Sequence, residues 1–161
     1  MREKKPDPSK KLRVGIIGGS SPDKKSILYS EKMGRLIAMN NFLLVNGGMS
    51  GVMKASAKGA KEAGGFTISI LPGNSTAEGN NYSDIKIATG LGYIRNPLVV
   101  LNADILIAID GSYGTLSEIS YAKIYGKRVL GLNTWEIDGV EPFSSPEEII
   151  EEIKDFFNIK K

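Results

Sequence analysis

Three glycine-rich segments, one arginine and one glutamate have the types and spacing to do chemistry in this chain. Gly18-Gly19-Ser20-Ser21, Gly47-Gly48-Met49-Ser50-Gly51 and Gly111-Ser112-Tyr113-Gly114-Thr115 each follow a short apolar run and lead toward a helical pattern. Glycine lets backbone approach a ligand closely and reach positive φ. A helix N-terminus presents unpaired N–H groups and a positive dipole end, which suit phosphate. None of the three is a dinucleotide fingerprint. Gly15-x-x-Gly18-Gly19 is not G-x-G-x-x-G, and no G-x-x-x-x-G-K-[ST] occurs, which disfavours a nicotinamide cofactor or a P-loop triphosphate. Any one of them could be only a tight strand-to-helix turn. Three at one edge point to a site for an anion or nucleotide.

The chain has no cysteine and no histidine. Disulfides, thiolate catalysis, zinc–thiolate sites, imidazole bases and histidine metal sites are excluded with them. Chemistry falls to carboxylates, Arg, Lys, Tyr, Ser, Thr and the backbone. Glu118 could stabilise positive charge or activate water, and Arg95 could hold a phosphate or orient that carboxylate. Both have plainer readings. Thr115-Leu116-Ser117-Glu118 fits a T-x-x-E capping box at a helix start. Arg95 could be a surface arginine near a helix start, where it would oppose the helix dipole. Tyr113 could stack on a base or cover its loop, and Met49 and Met53 read first as packing residues.

The elements that must position these residues alternate along the chain. Strands are expected over Leu12–Gly18, Phe42–Val45, Phe66–Leu71, Ile85–Ala88, Ile105–Ile109 and Arg128–Leu132. Helices are expected over Ser26–Met39, Val52–Ala63, Arg95–Leu101, Thr115–Tyr125 and from Ser145-Pro146 to about Phe157. Several strands are apolar on both faces, which argues for a sheet covered on both sides. The pattern is that of a Rossmann-like three-layer α/β/α sandwich with a mostly parallel, doubly wound sheet. Ligands of such folds sit outside the carboxyl ends of the strands, where all three glycine segments fall. The stretch Asn74 to Ser83 is polar and rich in Gly and Asn, and reads as a long loop.

Length bounds the chain at one domain, expected over residues 12–161 behind a flexible basic arm at 1–11. The net charge of +3 is concentrated in the tails. Without Arg2, Lys4, Lys5, Lys10, Lys11, Lys160, Lys161, Glu3 and Asp7, the body holds 14 basic and 16 acidic residues. A basic groove for nucleic acid is therefore not expected. No signal peptide and no apolar run of membrane-spanning length is visible, so a cytoplasmic protein is the expectation.

These residues carry a family resemblance. Gly111-Ser112-Tyr113-Gly114-Thr115-Leu116-Ser117-Glu118 resembles the P-G-G-x-G-T-x-x-E motif of the Lonely Guy-type proteins. Arg95, nine positions before Asp104, resembles the arginine that precedes the family's Ala-Asp, strand and glycine loop. Asn46-Gly47-Gly48-Met49-Ser50-Gly51-Val52-Met53 resembles its G-G-G-x-x-G-x-M segment. The short length and Ile-Gly-Gly-Ser start resemble a small branch that includes molybdenum-cofactor-carrier-like proteins.

The resemblance implies two functions. One is binding or carriage of a phosphate-bearing, nucleotide- or molybdopterin-type ligand. The other is a phosphoribohydrolase that cleaves nucleoside 5′-monophosphates to base and ribose 5-phosphate, with Arg95 and Glu118 as its catalytic pair. It also implies a homo-oligomer, a dimer or tetramer, and no essential cofactor. The ligand-binding set it implies is Gly18, Gly19, Ser20, Ser21, Gly47, Gly48, Met49, Gly51, Arg95, Asn96, Asp110, Gly111, Ser112, Tyr113, Gly114 and Thr115. Three departures lean toward binding. Asp110 stands where the motif has proline, Ser112 where it has a second glycine, and Asn96 where it has lysine. A pyridoxal-phosphate decarboxylase, a label many such proteins carry, is rejected, because nothing resembles that cofactor's lysine site.

Overall fold

The structure is a computed structural model, and it describes residues 11–159. Seven strands form one sheet in the order β4-β3-β2-β1-β5-β6-β7, and every neighbouring pair is parallel. They are β1 (Arg13–Gly18), β2 (Leu43–Asn46), β3 (Phe66–Leu71), β4 (Ile85–Ala88), β5 (Ile105–Ile109), β6 (Val129–Leu132) and β7 (Val140–Phe143). The five helices are α1 (Lys24–Met39), α2 (Val52–Glu62), α3 (Asn96–Leu101), α4 (Tyr113–Ile124) and α5 (Pro146–Phe156).

Consecutive strands run outward from β1 to one edge and from β5 to the other. Right-handed crossovers then place their helices on opposite faces. Met33 and Ile37 of α1, Val52 of α2 and Ile149 and Ile153 of α5 bury against Val14, Ile16 and Ile107. Val99 and Val100 of α3 and Ile119 and Ala122 of α4 bury against Ile17, Leu106 and Ala108. The Rossmann-like expectation is met, and the sheet is wholly parallel. The strand order reverses between β1 and β5, which opens a crevice at their carboxyl ends.

Element ends differ from the sequence reading where local chemistry intervenes. α1 begins at Lys24 because the Asp23 side chain accepts the Ser26 N–H at 2.7 Å. α4 begins at Tyr113, two residues before the expected start, and Ser112 at its N-cap makes no side-chain bond. The capping box read at Thr115 and Glu118 is therefore not formed. Both residues lie inside the helix. At α5 the expected cap is present: Ser145 Oγ accepts from Glu148 N–H. Arg95 closes a 3-10 helix over Gly92–Arg95, and α3 starts one residue later with Pro97 in its first turn. Strand β7 went unread. The basic arm, Lys11 apart, lies outside the described residues, as do Lys160 and Lys161. No described helix is long and apolar enough to cross a membrane.

Candidate functional site

A cavity of about 370 Å³ opens at the β1/β5 crevice. The β1 loop contributes Gly18 and Ser20, and the β2 loop contributes Gly47, Met49, Ser50 and Met53. The third side is Pro72, Gly92, Tyr93, Arg95 and Asn96, and the fourth is Ser112, Gly114, Thr115 and Glu118 of α4. Ile16 and Ile17 also line it. The structure thus brings all three glycine segments, Arg95 and Glu118 to one place.

Gly19, Ser21, Gly48, Gly51, Asp110, Gly111 and Tyr113 of the expected ligand set do not line the cavity. Gly51, at φ 63°, sits where a Cβ would collide with backbone of Gly19 and Ser20. There Val52 N–H donates to Gly19 O at 3.0 Å, and Ser50 Oγ donates to Ser20 O at 3.2 Å. The β1 and β2 loops are locked together by that contact. Gly48 N–H donates to Asn46 Oδ1 at 2.9 Å. Ser21 is exposed. Asp110 adopts φ 56°, a conformation closed to proline, so the departure from the family motif is built into the turn. Gly111 follows at φ 145°, a backbone conformation that favours glycine, with Thr115 and Trp135 close to where a Cβ would stand. Ser112, at φ −122°, is in extended backbone that accepts a side chain. Tyr113 is 82 % exposed, with its ring centroid 6.4 Å from that of Trp135.

Arg95 is buried and spends its guanidinium on the scaffold. Nε donates to Ile70 O at 2.8 Å, Nη2 to Gly47 O at 3.2 Å, and Nη1 to Asn96 Oδ1. It thereby ties β3 to the β2 loop. Burial pulls its pKa below the ordinary value, while the charges of Glu118 and Tyr93 work the other way. Glu118 is buried on α4 beside the cavity. Burial pushes its pKa up to about 8, with Arg95 opposing the shift less strongly. Its carboxyl makes no ion pair with Arg95 and accepts no hydrogen bond from any described residue. The protonated form, able to donate a hydrogen bond, is thereby favoured well above the ordinary carboxylate range.

Two further groups are left unpartnered on this side. Thr115 Oγ1 and Trp135 Nε1 are buried and find no hydrogen-bond partner. Both lie against Gly111 at the entry to α4. The first-turn N–H groups of α4 have no intrahelical acceptor and no capping side chain. This end of the cavity therefore offers several donors, with the Asp110 carboxylate beside Gly19 as an acceptor on the same side. No group of three or more metal-ligating side chains occurs among the described residues.

The expected ligand set left out Ile16, Ile17, Ser50, Met53, Pro72, Gly92 and Tyr93, which also line the cavity. Pro72, Gly92 and Tyr93 carry a topological signal: they follow β3 and β4, whose carboxyl ends lie at the same edge of the parallel sheet. Met53 follows the β2 glycine loop directly in the chain.

Comparison with known proteins agrees with this geometry. The SLOG cluster4 family matches residues 11–156. An uncharacterized protein of Archaeoglobus fulgidus is 42 % identical over 142 residues, 88 % of this chain and 93 % of that protein. The molybdenum cofactor binding protein of Rippkaea orientalis superposes with a TM-score of 0.87 at 35 % identity, covering 92 % of this chain and 98 % of that one. The molybdenum cofactor carrier protein of Chlamydomonas reinhardtii gives 0.86 at 31 %, covering 92 % and 99 %. A cytokinin riboside 5′-monophosphate phosphoribohydrolase of Arabidopsis thaliana is 29 % identical over 113 residues, 66 % of this chain. The chain spans about half the length of that enzyme, 49 %. The Lonely Guy-type resemblance and its carrier-like branch are thereby borne out.

Proposed function

Because the chain belongs to the SLOG cluster4 family, we propose that it binds a phosphate-bearing, nucleotide- or pterin-like molecule in the β1/β5 cavity and acts as a binding or carrier protein. The observation that carries this reading is the uncapped N-terminus of α4 beside the unpartnered Thr115 hydroxyl. A phosphate there would satisfy first-turn N–H groups and one buried side chain together, at the positive end of the helix dipole. A volume of about 370 Å³ suits a ligand of nucleotide size. Ser20 and Ser112 line the opening and can bind further oxygens. The donor set suits the phosphate of such a ligand, and the cofactor bound by the Rippkaea protein and carried by the Chlamydomonas protein is of that class.

The raised pKa of Glu118 serves both readings: a protonated acid tolerates an anion and can donate to it, and it can equally protonate the leaving group in glycosidic cleavage. The second reading, a nucleoside 5′-monophosphate phosphoribohydrolase, is supported by the convergence of Arg95 and Glu118 on one cavity. Its Arg95 would act by holding the β2 loop and by setting a positive charge near Glu118, since its Nε, Nη1 and Nη2 already donate within the protein.

Assembly belongs to the same proposal. Phe66, Ile85, Ile87, Leu101 and Ile124 stand exposed on the α3/α4 side. An uncovered apolar area of that kind marks an interface, and a homo-oligomer would bury it.

The test is incubation with a panel of nucleoside 5′-monophosphates, following the unfolding temperature and the release of free base. The binding reading expects saturable thermal protection without base release. Base release that vanishes in Glu118→Gln would replace it with the hydrolase. Neither protection nor release would remove both for these ligands.

A further inference from the structure

The segment from Asn74 to Ser83 between β3 and β4 gives no residue to the cavity. It holds only a 3-10 helix over Thr76–Glu78. Its inner end, however, is fastened to the ligand loop after β2. Asn80 N–H donates to Gly48 O at 2.8 Å. Asn80 Nδ2 donates to Gly48 O and to Met49 O, both at 3.1 Å. Asn80 Oδ1 accepts from Tyr82 N–H at 3.0 Å and Ser83 Oγ at 3.5 Å. Ser83 Oγ meets Ser69 Oγ at 2.6 Å, and Ser69 Oγ donates to Asn46 Oδ1 at 2.9 Å. The same Asn46 oxygen accepts the Gly48 N–H, so the circuit closes on the loop where it began.

We infer that Asn80 is a positioning residue: it sets the place of the Gly47-Gly48-Met49 wall, and with it the width of the cavity, without touching the ligand. The inference rests on the cavity being the ligand site. A Gly-Gly pair with Gly48 at φ 73° loses more conformational entropy on ordering than any other dipeptide, so an ordered resting loop needs bonds from outside. Asparagine meets the requirement with two N–H donors for two carbonyls and one oxygen for the incoming chain. Aspartate would set a charge against two carbonyl oxygens, and glutamine would add a methylene. Gly48 has no side chain to hold it by packing, and Ser69 and Leu71 fill the space a Cβ would take. Arg95 holds Gly47 O and Asn46 holds Gly48 N–H, which leaves the carbonyls of Gly48 and Met49 to segment 74–83.

The test is amide exchange by mass spectrometry on the ligand-free full chain, comparing wild type, Asn80→Ala and Asn80→Ser. Serine can keep an oxygen near Tyr82 N–H while removing the amide donors, and serves where alanine does not fold. Ser75→Ala, in the same segment but outside the circuit, is the control. Exchange across residues 46–53 is expected to rise about tenfold or more in the Asn80 variants while β1 and β5 hold their protection. The control should change only its own segment. Unchanged exchange across 46–53, or an equal rise through the whole sheet, overturns the inference.

A second arm titrates AMP and orthophosphate by calorimetry. Asn80→Ser is expected to weaken AMP about tenfold and orthophosphate by no more than about twofold, because the phosphate is held across the cavity by α4. Unaltered AMP affinity with a loosened loop also overturns it. Wild type binding neither probe would defeat the proposed function instead, and the exchange arm would still decide the role of Asn80.

Discussion

The two long walls of the cavity are built to opposite rules. On the β2 side, Asn46, Ser69, Ser83 and Asn80 form a closed circuit in which each side chain has its partners. On the α4 side, Thr115 Oγ1 and Trp135 Nε1 have none among the described residues, burial favours the protonated form of Glu118, which accepts no hydrogen bond from them, and the helix start is uncapped. Unsatisfied buried groups cost stability. Two of the three buried side-chain atoms without a partner among the described residues lie on the α4 side, the third being Thr67 Oγ1 on β3, so most of that cost falls where a ligand can recover it. The satisfied wall is scaffold, and the unsatisfied wall is where binding free energy arises.

The comparison is broken most forcefully at Asn46. Its Nδ2 donates to Met53 O and Ser56 Oγ, and its Oδ1 accepts from Gly48 N–H and Ser69 Oγ, all without solvent access. Asn46→Ala strands several of these at once and should cost about 3–4 kcal/mol of stability in urea unfolding. A cost under about 1 kcal/mol would mean that the circuit is not the scaffold of this wall.

Glu118 sharpens the other side. Its folded pKa, about 8, lies above its ordinary value of 4.5. Between these values the native state holds a proton that the unfolded chain has released. The proton's contribution to stability is therefore complete below about pH 4.5, shrinks as pH rises, and is gone above about 8. Glu118→Gln removes this dependence. The variant should match wild type near pH 5 and unfold roughly 5 °C higher at pH 9. Binding follows the same sign: phosphate affinity in wild type should fall as Glu118 ionises above pH 8, whereas hydrolysis through a carboxylate would rise. Parallel pH profiles of the two proteins would remove Glu118 from both accounts.

How legible these walls were in sequence also differs. The strands β1, β2, β3, β5 and β6 announced themselves as apolar runs, and the glycine loops follow from their ends. β7 did not, because Val140-Glu141-Pro142-Phe143 carries a charge and a proline. An edge strand tolerates both, and no sequence period separates it from a loop. The α4 wall was legible through its motif, and Arg95 and Glu118 both line the one cavity. Its start was misread because T-x-x-E is a local pattern. The backbone that overrides it depends on Gly111 at φ 145°, wedged against Trp135, which lies 24 positions further along the chain. The β2 wall was legible only as a glycine loop. Its fastening joins Asn46, Ser69 and Asn80 across three segments, and polar residues so far apart give no periodic signal.

The smallest effect on folding separates the walls most cleanly. Thr115→Val replaces a hydroxyl with a methyl of nearly the same shape at a position 2 % exposed. On the satisfied wall such a change would break bonds. Here the hydroxyl makes none, so valine should leave stability unchanged or raise it by up to about 1 kcal/mol, as burial of an unpartnered polar atom ends. Affinity for AMP and for orthophosphate should nonetheless drop about tenfold, because the ligand loses a donor that only it could use. Valine that costs stability would show that the resting protein already uses the hydroxyl. Stable protein with unchanged affinity would show that the phosphate seats on the helix amides alone, and that the empty partner position at Thr115 is a packing defect rather than part of the site.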